Sequence, residues 1–535
     1  MRASMGHVLA MLALTGVTAA PVSAQDDGAA VASAIHSVKT QAEPMPADHA
    51  GVWTQNVSEN FVLRGEIAGE EARGFLVDLE LFRAGFLPML GGGPAKEDSS
   101  LTRTPVTTPF TIFVINNDAQ AARLLGSEHA AGFYQKDLSG PVLVLNAKAG
   151  LDAQGQARLL ALRSVADHMV TESSSAVYPP WLREGLVEYI SVSEILDNQM
   201  HIGLRNARHD YLLRGGRWIR MRDIVQPFYA SSLERGFQSD DDVDWYGQFS
   251  AQSWLAVSYI MSEPGLAASI PEYLSRIHNG QAPRDAFKSA FGMSDKRFEK
   301  RMRAYWKAGQ FTGDTMTITD APIAVKSSSM TPAQKDFYFG RALMSAVIDG
   351  DSLAFAENHM ANVSAAGSLK GEILAARAML AAQKGDLTAA DVHMAAALKS
   401  APNSIPVRRA AGDIAMAQFG ESRDPEILED LRRHAEIILA QNPNDGQAGY
   451  FYAAACAALE CPANKAAHAA LNGASSLLEY TGANLNLISV LLEAGNADKA
   501  LAIARIAAIW GESPEVREGG ALARRDIREA MKTSN

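Results

Sequence analysis

Apolar residues recur along this chain with two periods, and the change from one to the other divides it. Near the start the pattern is extended. A strand-like segment covers Gly51–Leu63, with Phe61-Val-Leu63 as its core. Phe110-Thr-Ile-Phe-Val-Ile115 and Pro141-Val-Leu-Val-Leu-Asn146 are short unbroken apolar runs of the kind a buried strand needs, and Gly132-Phe-Tyr134 leads into the second. Between them the spacing lengthens. Phe75, Leu79, Phe82 and Phe86 recur every three or four residues, which predicts an amphipathic helix over Glu70–Phe86, and Ala119–Leu125 reads as a shorter one. Leu87–Thr108, with Gly91-Gly-Gly-Pro94, is a loop. Alternating strands and helices make this first region a small mixed α/β unit.

From Asp152 onward the extended pattern nearly disappears. Helices are expected over Ala153–Val170, Trp181–Ser191, Trp245–Met261, Pro271–His278, Pro283–Phe291 and Asp295–Lys307. Pro179-Pro180 opens the second of these, where proline is tolerated. Asp197–Asp244 is polar, and Gly215–Val225 within it reads as a short extended piece. Thr312–Ser329 reads as a linker. Thr331–Lys532 is Ala-rich and helical throughout. Its segments at 375–403, around Pro443, and at 487–504 look like helix–turn–helix units closed by glycine or proline, the ingredients of tetratricopeptide-type stacking. The distance from Pro402 to Pro443 is longer than one standard repeat, so an unrelated helical bundle is the alternative. Altogether the pattern predicts an α+β chain with boundaries at 51–150 (mixed), 151–311 (helical), 312–330 (linker) and 331–535 (all-α).

Composition adds compartment and partners. The 535-residue chain carries a formal charge of −11 and shows no run of basic residues, which argues against nucleic acid and anionic membrane surfaces as partners. Arg2, the apolar run Val8–Leu14 and the small-residue site Val22-Ser-Ala24 read as a signal peptide over 1–24, followed by a flexible leader over 25–50. An exported, periplasmic protein without a membrane span is the expectation; an uncleaved anchor is the alternative. Cys456 and Cys461 are the two cysteines. A five-residue offset separates them on a helix, so pairing requires the helix to end between them, which Pro462 favours. Two small buried residues at a helix contact is the other reading.

The candidate chemistry lies in Pro180-Trp-Leu-Arg-Glu-Gly-Leu-Val-Glu-Tyr189. With Glu80-Leu-Phe-Arg83, Ala131-Gly-Phe-Tyr134 and Ala251-Gln-Ser-Trp254 in order around it, residues 55–310 resemble the peptidase MA-like family of gluzincin metallopeptidases, often joined to tetratricopeptide repeats. The resemblance implies a zincin-like helical part, and a helix bearing His-Glu-x-x-His, whose histidines bind zinc and whose glutamate activates water. In register with Trp181 and Glu184, those three positions hold Arg163, Ser164 and Asp167. Glu184 keeps the downstream ligand position, and Ser250 stands where the family often has a tyrosine.

The resemblance therefore implies a catalytically inactive pseudo-peptidase with no zinc cofactor, acting as a peptide- or protein-binding or scaffold module through its cleft or its helical repeats. The alternative is an active hydrolase with a non-standard ligand set. Arginine cannot ligate zinc, but it donates bidentate hydrogen bonds to carboxylates. Arg163 is expected to take the metal position and pair with Glu184, with Asp167 as a second acceptor. A solvated Arg163 beside an exposed Glu184 is the alternative. His168 and Glu172, four apart, with Glu184 and Glu188, would be a different metal set on a rotated face. His201 and His209 show no matched partner, Ser173-Ser-Ser175 reads as a loop, and no nucleophile elbow or phosphate loop is present.

Overall fold

Strands buried on both faces read as continuous apolar runs, and the two strongest runs occupy such positions. The computed structural model describes residues 53–533, with breaks at 87–109, 227–239, 346–355 and 477–483 and shorter ones elsewhere. The expected signal peptide and leader, the 87–108 loop, Ser173–Ser175 and most of the 119–125 helix lie outside the described residues. The described strands are β1 (Thr54–Val57), β2 (Phe61–Gly65), β3 (Phe110–Ile115), β4 (Gly132–Asp137), β5 (Gly140–Asn146), β6 (Glu194–Leu196), β7 (Gln199–Ile202), β8 (Asp314–Thr317) and β9 (Lys326–Ser329). Six of them form one sheet in the order β4-β5-β3-β2-β1-β9, parallel within β2-β3-β5 and antiparallel elsewhere.

The pleat sorts side chains between two cores. Leu63, Ile112, Val114, Leu143 and Leu145 face the main core, against helices α1 (Gly69–Phe86) and α2 (Gln156–Glu172). Phe113, Ile115 and Val144 face the other way, with Trp53, and pack on Phe337, Phe339 and Leu343 of the helix Pro332–Ser345. The main core runs on through α3 (Pro180–Ser191), α4 (Ala207–Gly215), α5 (Met221–Ile224) and α6 (Asp240–Ser262) to the helices ending at Ala308. The mixed and helical parts share one core. The chain is mostly helical with a small mixed sheet near its N-terminal side, an α+β arrangement. Among the described residues no helix is long and apolar enough to cross a membrane.

Three sequence expectations are corrected. Thr312–Ser329 is not a linker: β8 pairs with β7, and β9 is the edge strand beside β1. Lys326-Ser-Ser-Ser329 is exposed throughout, so it carries no apolar alternation to reveal it; backbone pairing and a 2.6 Å bond from Ser327 Oγ to Asn56 Oδ1 hold it. Gly215–Val225 is not a strand but the end of α4, a short connection and α5. Gln252 of α6 fixes that connection by accepting from the Ile219 N–H and donating to its carbonyl. Strands also do not vanish after Asp152, since β6 and β7 form a hairpin whose edge receives β8.

Beyond Pro332 helices follow one another to Thr533. Lys370–Gln383 and Leu387–Ser400 are joined through Gly385 at φ +79°, a left-handed position that suits glycine, and Asp386 accepts from the Ala389 N–H to start the second helix. At the far end Ile509 and Trp510 pack back onto the main core. Gly446–Cys456 ends at its cysteine, and Cys456 is bonded to Cys461 with Cα atoms 5.6 Å apart. Replacing both cysteines by serine is expected to lower stability by about 2 kcal/mol, the loop-closure entropy of so short a ring. Urea denaturation of the double variant beside the oxidised chain measures this; equal midpoints would leave the cross-link without energetic weight.

Candidate functional site

Three helices meet at a single buried cluster. Arg163 comes from α2, Glu184 and Glu188, one turn apart, from α3, and Tyr246 and Ser250, one turn apart, from α6. The Pro180–Tyr189 motif explains how α3 is held there. Pro180 occupies the first helical turn, where its missing N–H costs nothing. Trp181 is fully buried and donates to the Tyr273 hydroxyl at 3.1 Å. Gly185 lies where α3 crosses α6: a Cβ there would stand 2.3 Å from the Ser253 carbonyl oxygen. Tyr189 donates to Asp314, which ties the helix to β8. Burial, with the Asp314 carboxylate, raises the Tyr189 hydroxyl well above its usual value. With those residues locking the helix, Glu184 and Glu188 point together toward α2 and α6.

Arg163 stands between the two carboxylates. Its Nη2 donates to Glu184 Oε1 at 3.0 Å and Oε2 at 3.1 Å, and its Nε donates to Glu188 Oε1 at 2.8 Å. Nη2 also lies 3.2 Å from the Tyr246 hydroxyl, which itself donates to Glu184 at 3.2 Å. Ser250 Oγ donates to Glu184 at 2.7 Å. The second oxygen of Glu188 accepts from His209 Nε2 at 2.8 Å, and the His209 ring, from α4, is only 2% exposed. Burial alone would raise the Glu188 carboxyl. The His209 ring and the Arg163 guanidinium, both bonded to it, outweigh burial and hold it far below the usual carboxylate range. Glu188 is therefore an ionised anchor rather than a proton acceptor at neutral pH.

The expected residues do not all meet. Asp167 is not a second acceptor for Arg163 but bonds to Arg183, whose Nε lies 3.0 Å from Asp167 Oδ1. A second arginine thus removes the carboxylate repulsion that Asp167 would otherwise bring. Ser164 is buried and its hydroxyl donates to the Leu160 carbonyl at 2.7 Å, inside its own helix. His168 turns away, its ring edge-on to Phe110 at 5.4 Å, so it does not join Glu184 and Glu188; the Glu172 side chain lies outside the described residues. His201 bonds to Thr315 where β7 meets β8. His209, expected to lack a partner, is the second hydrogen-bonding group on Glu188. Tyr246 was not singled out from sequence; Glu188 entered only as an oxygen donor of the alternative metal set, and His209 only as a histidine without a matched partner. The spacing of four between Glu184 and Glu188 was the available signal for Glu188.

A zinc ion needs three or four deprotonated donors converging on one point. At this point sits a guanidinium with a positive charge of its own. The Ser164 hydroxyl is spent on a backbone carbonyl, and Asp167 Oδ1 is taken by Arg183. The residues present do not fit a zinc ion. Among the described residues no group of three or more His, Cys, Asp or Glu side chains is gathered to hold a metal. No protein-family model matches this chain, and no curated protein matches it.

Proposed function

We propose that this chain is an exported, catalytically inactive gluzincin-like protein that works as a peptide- or protein-binding or scaffold module, followed by a tetratricopeptide-like helical region. One observation carries the reading. The positions that would hold a metal and its activated water carry Arg163 and Ser164, and the Arg163 guanidinium bridges Glu184 and Glu188. A guanidinium there supplies the positive charge that two buried carboxylates need, so the helix packing persists while water activation has no agent. The paired helices from Lys370 onward, with glycine turns and side-chain caps, support the repeat-like part of the reading. The apolar run ahead of Val22-Ser-Ala24 supports export.

The full chain incubated with an unfolded protein substrate and added zinc is expected to give no cleavage above buffer while retaining immobilised extended peptides. Turnover that disappears in Glu184→Ala would overturn the pseudo-peptidase reading. Cleavage that persists in that variant would mark a contaminating peptidase.

A further inference from the structure

The sequence has no run of basic residues, yet the fold assembles three arginines. Arg524 and Arg528 lie one turn apart on the helix Pro514–Thr533, and Arg505 lies on the helix packed against it, Ala497–Trp510. Arg524 Nη1 and Arg528 Nη2 both approach Gly280, at 3.9 and 4.0 Å from where a Cβ would stand. Gly280 is in the turn after the helix Ile270–His278, so Arg524 and Arg528 line a seam where the last two helices meet the main core beside Ile509 and Trp510, with Arg505 on the neighbouring helix close enough to feel both charges. Arg505 Nε is buried with no hydrogen-bond partner, and among the described residues none of the three guanidiniums makes an ion pair.

This arrangement costs energy as it stands. Like charges one turn apart repel. Burial, then Arg528 and Arg524, lower the Arg505 guanidinium from its usual value, against a smaller opposing effect of Asp498. Among the described residues no carboxylate pairs with any of the three, although neighbouring Arg525 is paired with Asp526. The C-terminal end of the Ile270–His278 helix offers partial negative charge, but that dipole acts within one turn and is screened by salt.

We propose that Arg505, Arg524 and Arg528 form, against Gly280, a binding site for a phosphate group, free or carried on a lipid headgroup. A tetrahedral polyanion accepts from several guanidinium forks at once, as a single carboxylate cannot. The site is independent of the Arg163 cluster. Its ligand would fasten the last helix pair to the main core.

The test is thermal unfolding of the full chain with and without inorganic phosphate, for wild type, R505Q, R524Q/R528Q, and R433Q as a control on an exposed arginine paired with Asp430. Without phosphate the double variant should melt at or above the wild type, because repulsion is relieved. With phosphate the order should reverse, and phosphate affinity should fall by roughly tenfold or more in R524Q/R528Q and R505Q but not in R433Q. Flotation with phosphatidylglycerol vesicles separates the sources. Binding to vesicles that is lost in R524Q/R528Q assigns a headgroup, and phosphate binding without flotation assigns a free ligand. A double variant that melts below the wild type without phosphate and binds phosphate equally well would overturn the site and make the arginines helix-end supports.

Discussion

Replacing Arg163 with alanine is expected to destabilise the folded chain by about 3–5 kcal/mol, the range for removing one partner from a buried ion pair. Its side chain is 10% exposed and serves both Glu184 and Glu188, and its loss leaves two carboxylates facing one another with His209, Tyr246 and Ser250 as the remaining donors. Glu184→Gln should cost much less. The amide keeps an oxygen for Arg163 and Ser250, and Arg163 keeps Glu188 as its counter-charge. The ordering, with Arg163→Ala far worse than Glu184→Gln in urea denaturation, separates a buried bridging role from a solvated one. Equal and small effects would mean that neither side chain is held as described.

The second large effect is expected at Gly185. Alanine there would place its methyl carbon 2.3 Å from the Ser253 carbonyl oxygen and 2.6 Å from a Val257 methyl. Neither can yield without moving α6, since one is backbone and the other is buried in the main core. Overpacking of this kind costs about 1–3 kcal/mol. The displacement has a direction, because it pushes α6 away from α3 and so lengthens the bonds from Tyr246 and Ser250 to Glu184. Gly185→Ala should therefore lower the melting temperature and weaken the coupling between Ser250 and Glu184 in a double-mutant cycle. An unchanged coupling would show that the helices slide rather than separate. Gly215, with open space around its Cβ position, is the matched control.

What could be read in the sequence follows from how each element is held. β3, β5 and α1 declare themselves because apolar burial makes them, and burial writes a period into the residues. The contact from Arg163 to Glu184 was legible because Glu184 lies in a motif, and Arg163 on the preceding helix takes its register against the resembled family from Trp181 in that motif. Elements held by polar contacts left no such trace. β9 is four exposed residues paired through the backbone, and β8 relies on pairing with β7 and the Tyr189–Asp314 bond. His209 and Tyr246 come from helices far along the chain, and only the folded packing of α4 and α6 on α3 brings them to the carboxylates. The swap of Asp167 from Arg163 to Arg183 was hidden for a related reason. Arg183 adjoins Glu184 in the motif but points to the neighbouring edge of α3, and a one-residue step turns a helical side chain by a large angle. The approach of Arg524 and Arg528 to Gly280 is the same case at longer range, made by the return of the last helix to a turn far back in the chain.

The central claim is that a guanidinium stands where a metal would be. The most direct measurement is zinc per chain in the purified protein, prepared without chelators and after zinc supplementation, beside Glu184→Ala. Substoichiometric zinc in both is the expected result. Stoichiometric zinc in the wild type that is lost in Glu184→Ala would contradict the account, and would mean that Arg163 leaves the carboxylates when a metal arrives.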